Sequence, residues 1–239
     1  MNVIHFVTGG GSGATRLALD LALAQQNDSF CVPHLILRRK RQPLPVVMQD
    51  QIARANLPFY WVENRWPRRR VIQQIADYCR QIRPTAFFAH GYSEHLWGRQ
   101  AALEAYVPLI IHVEHNIEQY WPWRLWTARR LARHTHATVG VSTGVIDNLY
   151  RLGLGGKQVV LIHNGSDLSR FDCATPLAQR SPDILMPARF ARKKDPITLV
   201  RAARQLVDRG WNGQLLFAGG GKAAHRRRCM ILPRCSGSP

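Results

Sequence analysis

The sequence predicts an α/β protein with a parallel sheet covered by helices on both faces. Two observations carry this. Short apolar runs alternate with amphipathic segments along most of the chain. The first run, Val3–Val7, passes straight into Thr8-Gly9-Gly10-Gly11-Ser12-Gly13 and then into a helical pattern, the strand–turn–helix unit of open α/β sheets.

The elements follow in order. A helix is expected from about Thr15 to Gln25, with Leu17, Leu21 and Ala24 on one face. Val32–Leu37 is the second strand and runs into Arg38-Arg39-Lys40-Arg41. Val46–Ala55 reads as a helix and Phe59–Val62 as a short strand. Val71–Ile82 is amphipathic, with Ile72, Ile75, Ala76 and Cys79 inward. The strand Ala86–Ala89 leads to His90-Gly91-Tyr92, and Trp97–Ala105 is helical. Pro108–Val113 is a strand with Glu114-His115-Asn116 at its end. Tyr120–Arg133 is basic and aromatic. Thr138–Val141 is a strand, Ser142 caps a helix to Tyr150, and Gly153–Gly156 closes that unit. Val159–Ile162 leads into Asn164-Gly165.

A second unit begins near Asp183. Ile184–Met186 is an apolar run ended by Pro187, and a loop with Arg189, Arg192, Lys193 and Lys194 follows. Asp195 stands at a helix N-cap and Pro196 in the first turn, where its missing N–H costs nothing. Leu199, Val200, Ala203, Leu206 and Val207 recur at helical spacing before Gly210. Gln214–Ala218 is a strand ending in Gly219-Gly220-Gly221. Lys222–Pro239 has five basic residues, no acidic one and no helical or strand period, so it is expected to be a disordered tail.

The chain's 239 residues suffice for one large domain or two small ones, and 46% hydrophobic with 20% charged residues is an ordinary globular balance. The net charge of +18 implies anionic partners: nucleic acid, phosphorylated metabolites or an anionic membrane face. Five scattered cysteines with no CxxC pair argue against a disulfide framework or zinc site and for a reducing cytosol. No signal peptide is visible, and no run of about 18 apolar residues exists to span a membrane.

Five places carry candidate chemistry. The glycine turn can cradle a phosphate, because glycine lets backbone N–H groups approach an anion. Gly9, Gly11 and Ala14 fit G-x-G-x-x-A, yet the acidic ribose ligand some 20 residues on is missing. The cluster Arg38–Arg41 could instead take a 2′-phosphate, which keeps an NADP-dependent oxidoreductase open. The turn is also explained by a simple need for small residues. The strand–cationic loop–helix unit at Ile184–Gly210 aims Arg189 and Lys194 at a point beyond a strand end, where phosphorylated ligands bind, though a solvated basic turn reads the same way. His115, at a strand end, can bond a sugar hydroxyl or a phosphate, whereas His112 lies within the strand and reads as packing. Trp121, Trp123 and Trp126 among arginines suit an anionic lipid surface, stacked bases, or a core helix with a solvated arginine face.

Arg189 followed five residues on by Lys194 and a helix resembles the donor-binding segment of retaining glycosyltransferases of family four, which have the two-domain GT-B fold. Asn164-Gly165-Ser166-Asp167, with Phe171 beyond, resembles that family's Asn-Gly-x-Asp turn, and Gly219-Gly220-Gly221 its G-x-G turn. The resemblance implies a complete N-terminal Rossmann-like domain over residues 1–166, a linker over 167–182, the start of a donor-binding Rossmann-like domain over 183–221, and a non-matching tail over 222–239. It implies sugar transfer, with retention, from a nucleotide-sugar donor, UDP- or GDP-linked, without metal or other cofactor. The acceptor would be a saccharide or a lipid-linked saccharide in cell-surface polysaccharide biosynthesis. Arg189 and Lys194 would stabilise the departing diphosphate and His115 would bind the donor sugar. Gly10, Gly11 and Gly13 would cradle phosphate or acceptor, Asn164 and Gly165 would shape the inter-domain turn, and Gly219 and Gly221 would lie near the nucleotide. The implied location is the cytoplasm, with peripheral contact at the inner membrane face and no nucleic acid partner. The family's acidic pair, expected downstream of Gly221, is missing, so a truncated or frame-shifted product of impaired activity is expected. A non-catalytic basic module is the other alternative, without a helix-turn-helix, zinc or RRM signature to support it.

Overall fold

The computed structural model describes residues 1–40, 43–63, 67–166, 168, 176, 179 and 183–235. Arg41, Asp167, Phe171 and most of the expected linker lie outside the described residues. The chain forms two compact units, Met1–Asp167 and Leu168–Pro239.

The first unit holds strands β1 (Asn2–Thr8), β2 (Val32–Arg38), β3 (Phe59–Val62), β4 (Ala86–His90), β5 (Leu109–Glu114), β6 (Ala137–Gly140) and β7 (Val159–Leu161). They make one sheet in the order β3-β2-β1-β4-β5-β6-β7, every pair parallel. Between them run α1 (Gly13–Gln26), α2 (Val46–Arg54), α3 (Arg68–Ile82), α4 (Tyr92–Glu104), α5 (Pro122–Ala132) and α6 (Thr143–Leu152). The order reverses between β1 and β4, and the C-terminal ends of strands at such a switch point are where ligands bind in open α/β sheets.

Alternate side chains of the strands feed two cores. Ile4, Phe6, Ile36 and Phe87 pack with Val71, Ile75, Ala76 and Cys79 of α3 and with Ala101 and Ala102 of α4. Val7, Leu35 and Leu37 face the other way, onto Ala18, Leu19 and Ala22 of α1 and Ile52 of α2. Burial on both faces explains why these strands read as unbroken apolar runs.

Several expectations are corrected. The inward face of α1 is Thr15, Ala18, Leu19 and Ala22, one position round from Leu17, Leu21 and Ala24. Thr15 decides this: its hydroxyl reaches the carbonyls of Thr8 (2.9 Å) and Gly10 (2.7 Å) and pins that stripe to the sheet. Helix α4 starts at Tyr92 rather than Trp97, because Gly91 at φ +85° turns the chain straight out of β4.

The second unit pairs β8 (Ile184–Met186) with β9 (Leu215–Phe217) in parallel and adds α7 (Pro196–Asp208). Within the tail expected to be disordered, Ala223–Cys235 forms a helix, α8, and residues 236–239 lie outside the described residues. Ala223, Ala224, Arg226, Arg227, Arg228 and Met230 are strong helix formers. Among the described side chains of α8, Cys229 is the buried one, packed with Phe190 and Val200. Leu185, Leu206, Val207 and Leu216 remain exposed in this unit.

Candidate functional site

In the first unit the candidate residues stand at the C-terminal ends of neighbouring strands: the glycine turn after β1, His90 at the end of β4, and Glu114-His115-Asn116 at β5. The turn after β1 enters α1 through Ser12, whose hydroxyl oxygen caps Thr15 N–H at 3.1 Å. The earlier N–H groups of the helix have no upstream carbonyl within it, so this end can accept an anion. The glycines have different reasons. At Gly9 a Cβ would meet the Arg38 carbonyl oxygen at 2.7 Å and the Trp61 ring at 2.4 Å, so its smallness serves packing. Gly13 has open space where a Cβ would go.

Two of the cations after β2, Arg38 and Arg39, are already paired, and Arg41 lies outside the described residues. Arg38 is buried and donates from Nε to Glu94 Oε1 at 2.8 Å, with its guanidinium 4.7 Å from the Trp97 ring centre. Arg39 pairs with Glu63 at 2.7 Å. With Arg38 buried against Glu94 and Arg39 beside Glu63, two of the four cations that suggested a 2′-phosphate site are engaged, which weakens the case for an NADP enzyme.

His115 is half-buried and gripped twice. Its backbone N–H donates to Glu114 Oε1 at 2.9 Å, and that oxygen also accepts from Asn116 N–H at 3.3 Å. The Glu114 carboxylate is itself buried. Burial alone would raise its pKa, but the adjacent His112 ring and these two N–H groups hold it below the usual carboxylate range. On the ring side, His115 Nε2 lies 3.3 Å from His90 Nδ1, and His90 Nε2 lies 3.0 Å from His5 Nδ1. Burial pushes His115 below the ordinary imidazole value, with Glu114 opposing, and pushes His5 down to about 4. All these rings are therefore neutral at neutral pH.

Behind this lies a second polar group, His95, Arg99, His112, Glu114 and Tyr120. His95, His112 and Glu114 hold ligand-type atoms within 4.8 Å of one another. Both nitrogens of His95 are engaged, Nδ1 by Arg99 at 2.7 Å and Nε2 by Tyr120 Oη at 2.8 Å. The buried guanidinium already supplies positive charge there, so the group fits an internal network rather than a metal centre. His112 is buried with neither ring nitrogen hydrogen-bonded; its Nε2 is 3.6 Å from Glu114 Oε2. The sequence places His112 in packing and Glu114 beside His115 at the strand end, but gives no role to His5, His90, His95 or the Glu114 carboxylate. The available signal was a histidine inside an apolar strand run, as in Val3-Ile4-His5-Phe6-Val7.

In the second unit Arg189 and Lys194 are exposed in the loop between β8 and α7. A 3-10 turn at Arg192–Lys194 is stopped by Asp195 at φ +46°, a conformation Asp tolerates. Asp195 then caps α7, accepting from Thr198 N–H (3.4 Å) and from the Thr198 hydroxyl (2.8 Å). Gly219 and Gly221 bring the loop after β9 against the loop carrying Arg189. A Cβ at Gly219 would lie 2.3 Å from the Ala188 oxygen, and Phe190 N–H donates to Gly220 O at 2.7 Å. Asn164 and Gly165 are exposed in the loop after β7.

The model of Glycosyltransferase Family 4 matches residues 11–170. The chain belongs to glycosyltransferase family 4. Its fold is that of GT-B glycosyltransferases. HepE from Anabaena, solved in complex with UDP, superposes with a TM-score of 0.71 at 14% identity, covering 98% of this chain and 64% of that one. Sucrose-phosphate synthase from Thermosynechococcus elongatus gives 0.70 at 16% identity, covering 98% and 67%. The lipopolysaccharide outer core galactosyltransferase WaaB gives 0.59 at 12% identity, covering 98% and 66%. This family 4 chain thus spans about two thirds of the length of these structures. None of the curated proteins matches its sequence. Among the described residues no helix is long and apolar enough to cross a membrane.

Proposed function

We propose that this family 4 chain binds a nucleotide-sugar and belongs to a retaining glycosyltransferase acting on a saccharide or lipid-linked acceptor in cell-surface polysaccharide biosynthesis. The observation that carries the reading is the cationic loop Arg189–Lys194, braced by glycine contacts and running into a capped helix, in a chain whose residues 11–170 match the family. Nucleoside diphosphate departure develops negative charge. Arg189, Lys194 and the first N–H groups of α7 supply the complementary charge and donors. His115 takes a hydroxyl of the donor sugar. Gly10, Gly11 and Gly13 lead backbone N–H groups of α1 toward phosphate or acceptor, while Asn164 and Gly165 shape the turn into the second domain. The solved complex of HepE with UDP supports a uridine nucleotide as the first ligand to try.

A cytoplasmic chain working at the inner face of an anionic membrane fits the surface of α5. Trp121, Trp123 and Trp126 are exposed, with Arg124 4.8 Å from the Trp123 ring centre and Arg130 5.7 Å from that of Trp126.

Calorimetric titration of the whole chain tests the donor reading. UDP or GDP is expected to bind, NADPH is not, and Arg189→Ala weakens the nucleotide roughly 10- to 100-fold, the worth of one charge-assisted hydrogen bond. No binding of either diphosphate, or equal affinity in an Arg189→Ala/Lys194→Ala variant, overturns it.

A further inference from the structure

A line of hydrogen bonds runs from the last turn of α1 to His115. Gln25 Oε1 lies 2.8 Å from His5 Nε2, His5 Nδ1 3.0 Å from His90 Nε2, and His90 Nδ1 3.3 Å from His115 Nε2. His5 and His90 are buried, and His5 is further fixed by stacking on Phe88 at 4.8 Å. A neutral imidazole carries one N–H and one bare nitrogen, so a row of such rings donates in one sense only, and the group at its end chooses which. The end group is a carbonyl oxygen, which only accepts. His5 therefore donates from Nε2 and keeps Nδ1 bare. His90 donates to that nitrogen from Nε2 and is left with a bare Nδ1. His115 donates to His90 from Nε2, and its own Nδ1 carries a lone pair. Burial keeps His5, His90 and His115 below the ordinary imidazole value, so protonation does not break the row at neutral pH.

We propose that Gln25, His5 and His90 are positioning residues that hold His115 as its Nε2–H tautomer and present its Nδ1 as a hydrogen-bond acceptor, suited to a sugar hydroxyl and unsuited to a phosphate oxygen. The proposal rests on the reading that His115 meets the donor sugar. It narrows that reading, since a histidine at a strand end serves either group. Glu114 complements the row from the other side: it holds the His115 backbone while the histidines set the ring.

The test is long-range nitrogen–proton correlation NMR of the uniformly labelled full chain at neutral pH, with the His115 signals assigned by a His115→Gln variant. Wild type is expected to show His115 Nδ1 as a bare nitrogen and Nε2 as an N–H nitrogen. Gln25→Glu keeps an acceptor at the end of the row and leaves both signals in place. Gln25→Leu removes it, and the two signals move toward each other as the tautomers mix. His5→Leu cuts the row at its first ring and gives the same convergence. Wild-type His115 protonated on Nδ1, or both cutting variants without effect, overturns the proposal. No substrate enters this measurement, so failure of the nucleotide-sugar reading shows separately, as absent UDP and GDP binding.

Discussion

Acid unfolding of the first unit tests the buried histidines. His5 and His112 are fully buried, and burial lowers each from 6.5 to about 4, with Gln25 opposing at His5 and Glu114 at His112. In the unfolded chain both bind a proton near 6.5. As the pH falls below 6.5 the unfolded state takes up protons that the folded state refuses, so stability is complete above 6.5 and is lost progressively toward 4. At roughly 1.4 kcal/mol per pH unit, the interval between 6.5 and about 4 corresponds to about 3 kcal/mol for each histidine. Two such groups remove about 6 kcal/mol, comparable to the entire stability of many domains, roughly 5–15 kcal/mol. His90 and His95 are displaced in the same direction and steepen the loss. The assay is urea unfolding followed by far-UV circular dichroism through this window. His112→Leu supplies the control. Leu removes one histidine's share of the acid loss; because the buried Glu114 carboxylate loses the ring 3.6 Å from it, the variant is expected to cost about 1–3 kcal/mol at neutral pH, and only the slope with pH is compared with wild type. A midpoint that is flat between 6.5 and 4, or a His112→Leu variant that falls as steeply as wild type, would refute the reasoning.

Two further outcomes are expected. The Arg38–Glu94 pair has side chains only 4% and 6% exposed, so Arg38→Met or Glu94→Gln is expected to cost roughly 3–5 kcal/mol in urea unfolding, whereas Arg38→Met/Glu94→Leu recovers most of it; single variants within experimental error of wild type would remove the pair from the account. Sedimentation with phosphatidylglycerol vesicles is expected to carry the chain down and to weaken with salt and in Trp121→Ser/Trp126→Ser; equal binding to neutral phosphatidylcholine vesicles would sink the membrane reading.

Much of the fold was legible because local pattern and tertiary structure agree. Phe59–Val62 and Ile184–Met186 read as strands and are strands, since an apolar run between polar turns has one stable use in an alternating chain. Ser142 and Asp195 were recognisable as helix caps because a cap depends only on residues three positions away. The loop that carries Arg189 and Lys194 was legible as a loop for the same reason, bounded by a local apolar strand and a local helix cap. Arg38 shows the limit. In the sequence it is one of a run of cations awaiting an anion; only the packing of α4 on the sheet brings Glu94, 56 residues on, to it. The histidine row lies further still from local reading, because its first two rings are 85 residues apart and meet only through the parallel register of β1 and β4. The sequence by itself thus determined the order of elements, the family and the cationic loop, which depend on neighbours along the chain. The tertiary structure decided which cations are already paired, that Ala223–Cys235 is helical, and which nitrogen of His115 meets His90, because burial and hydrogen bonding between distant segments exist only once the chain has folded.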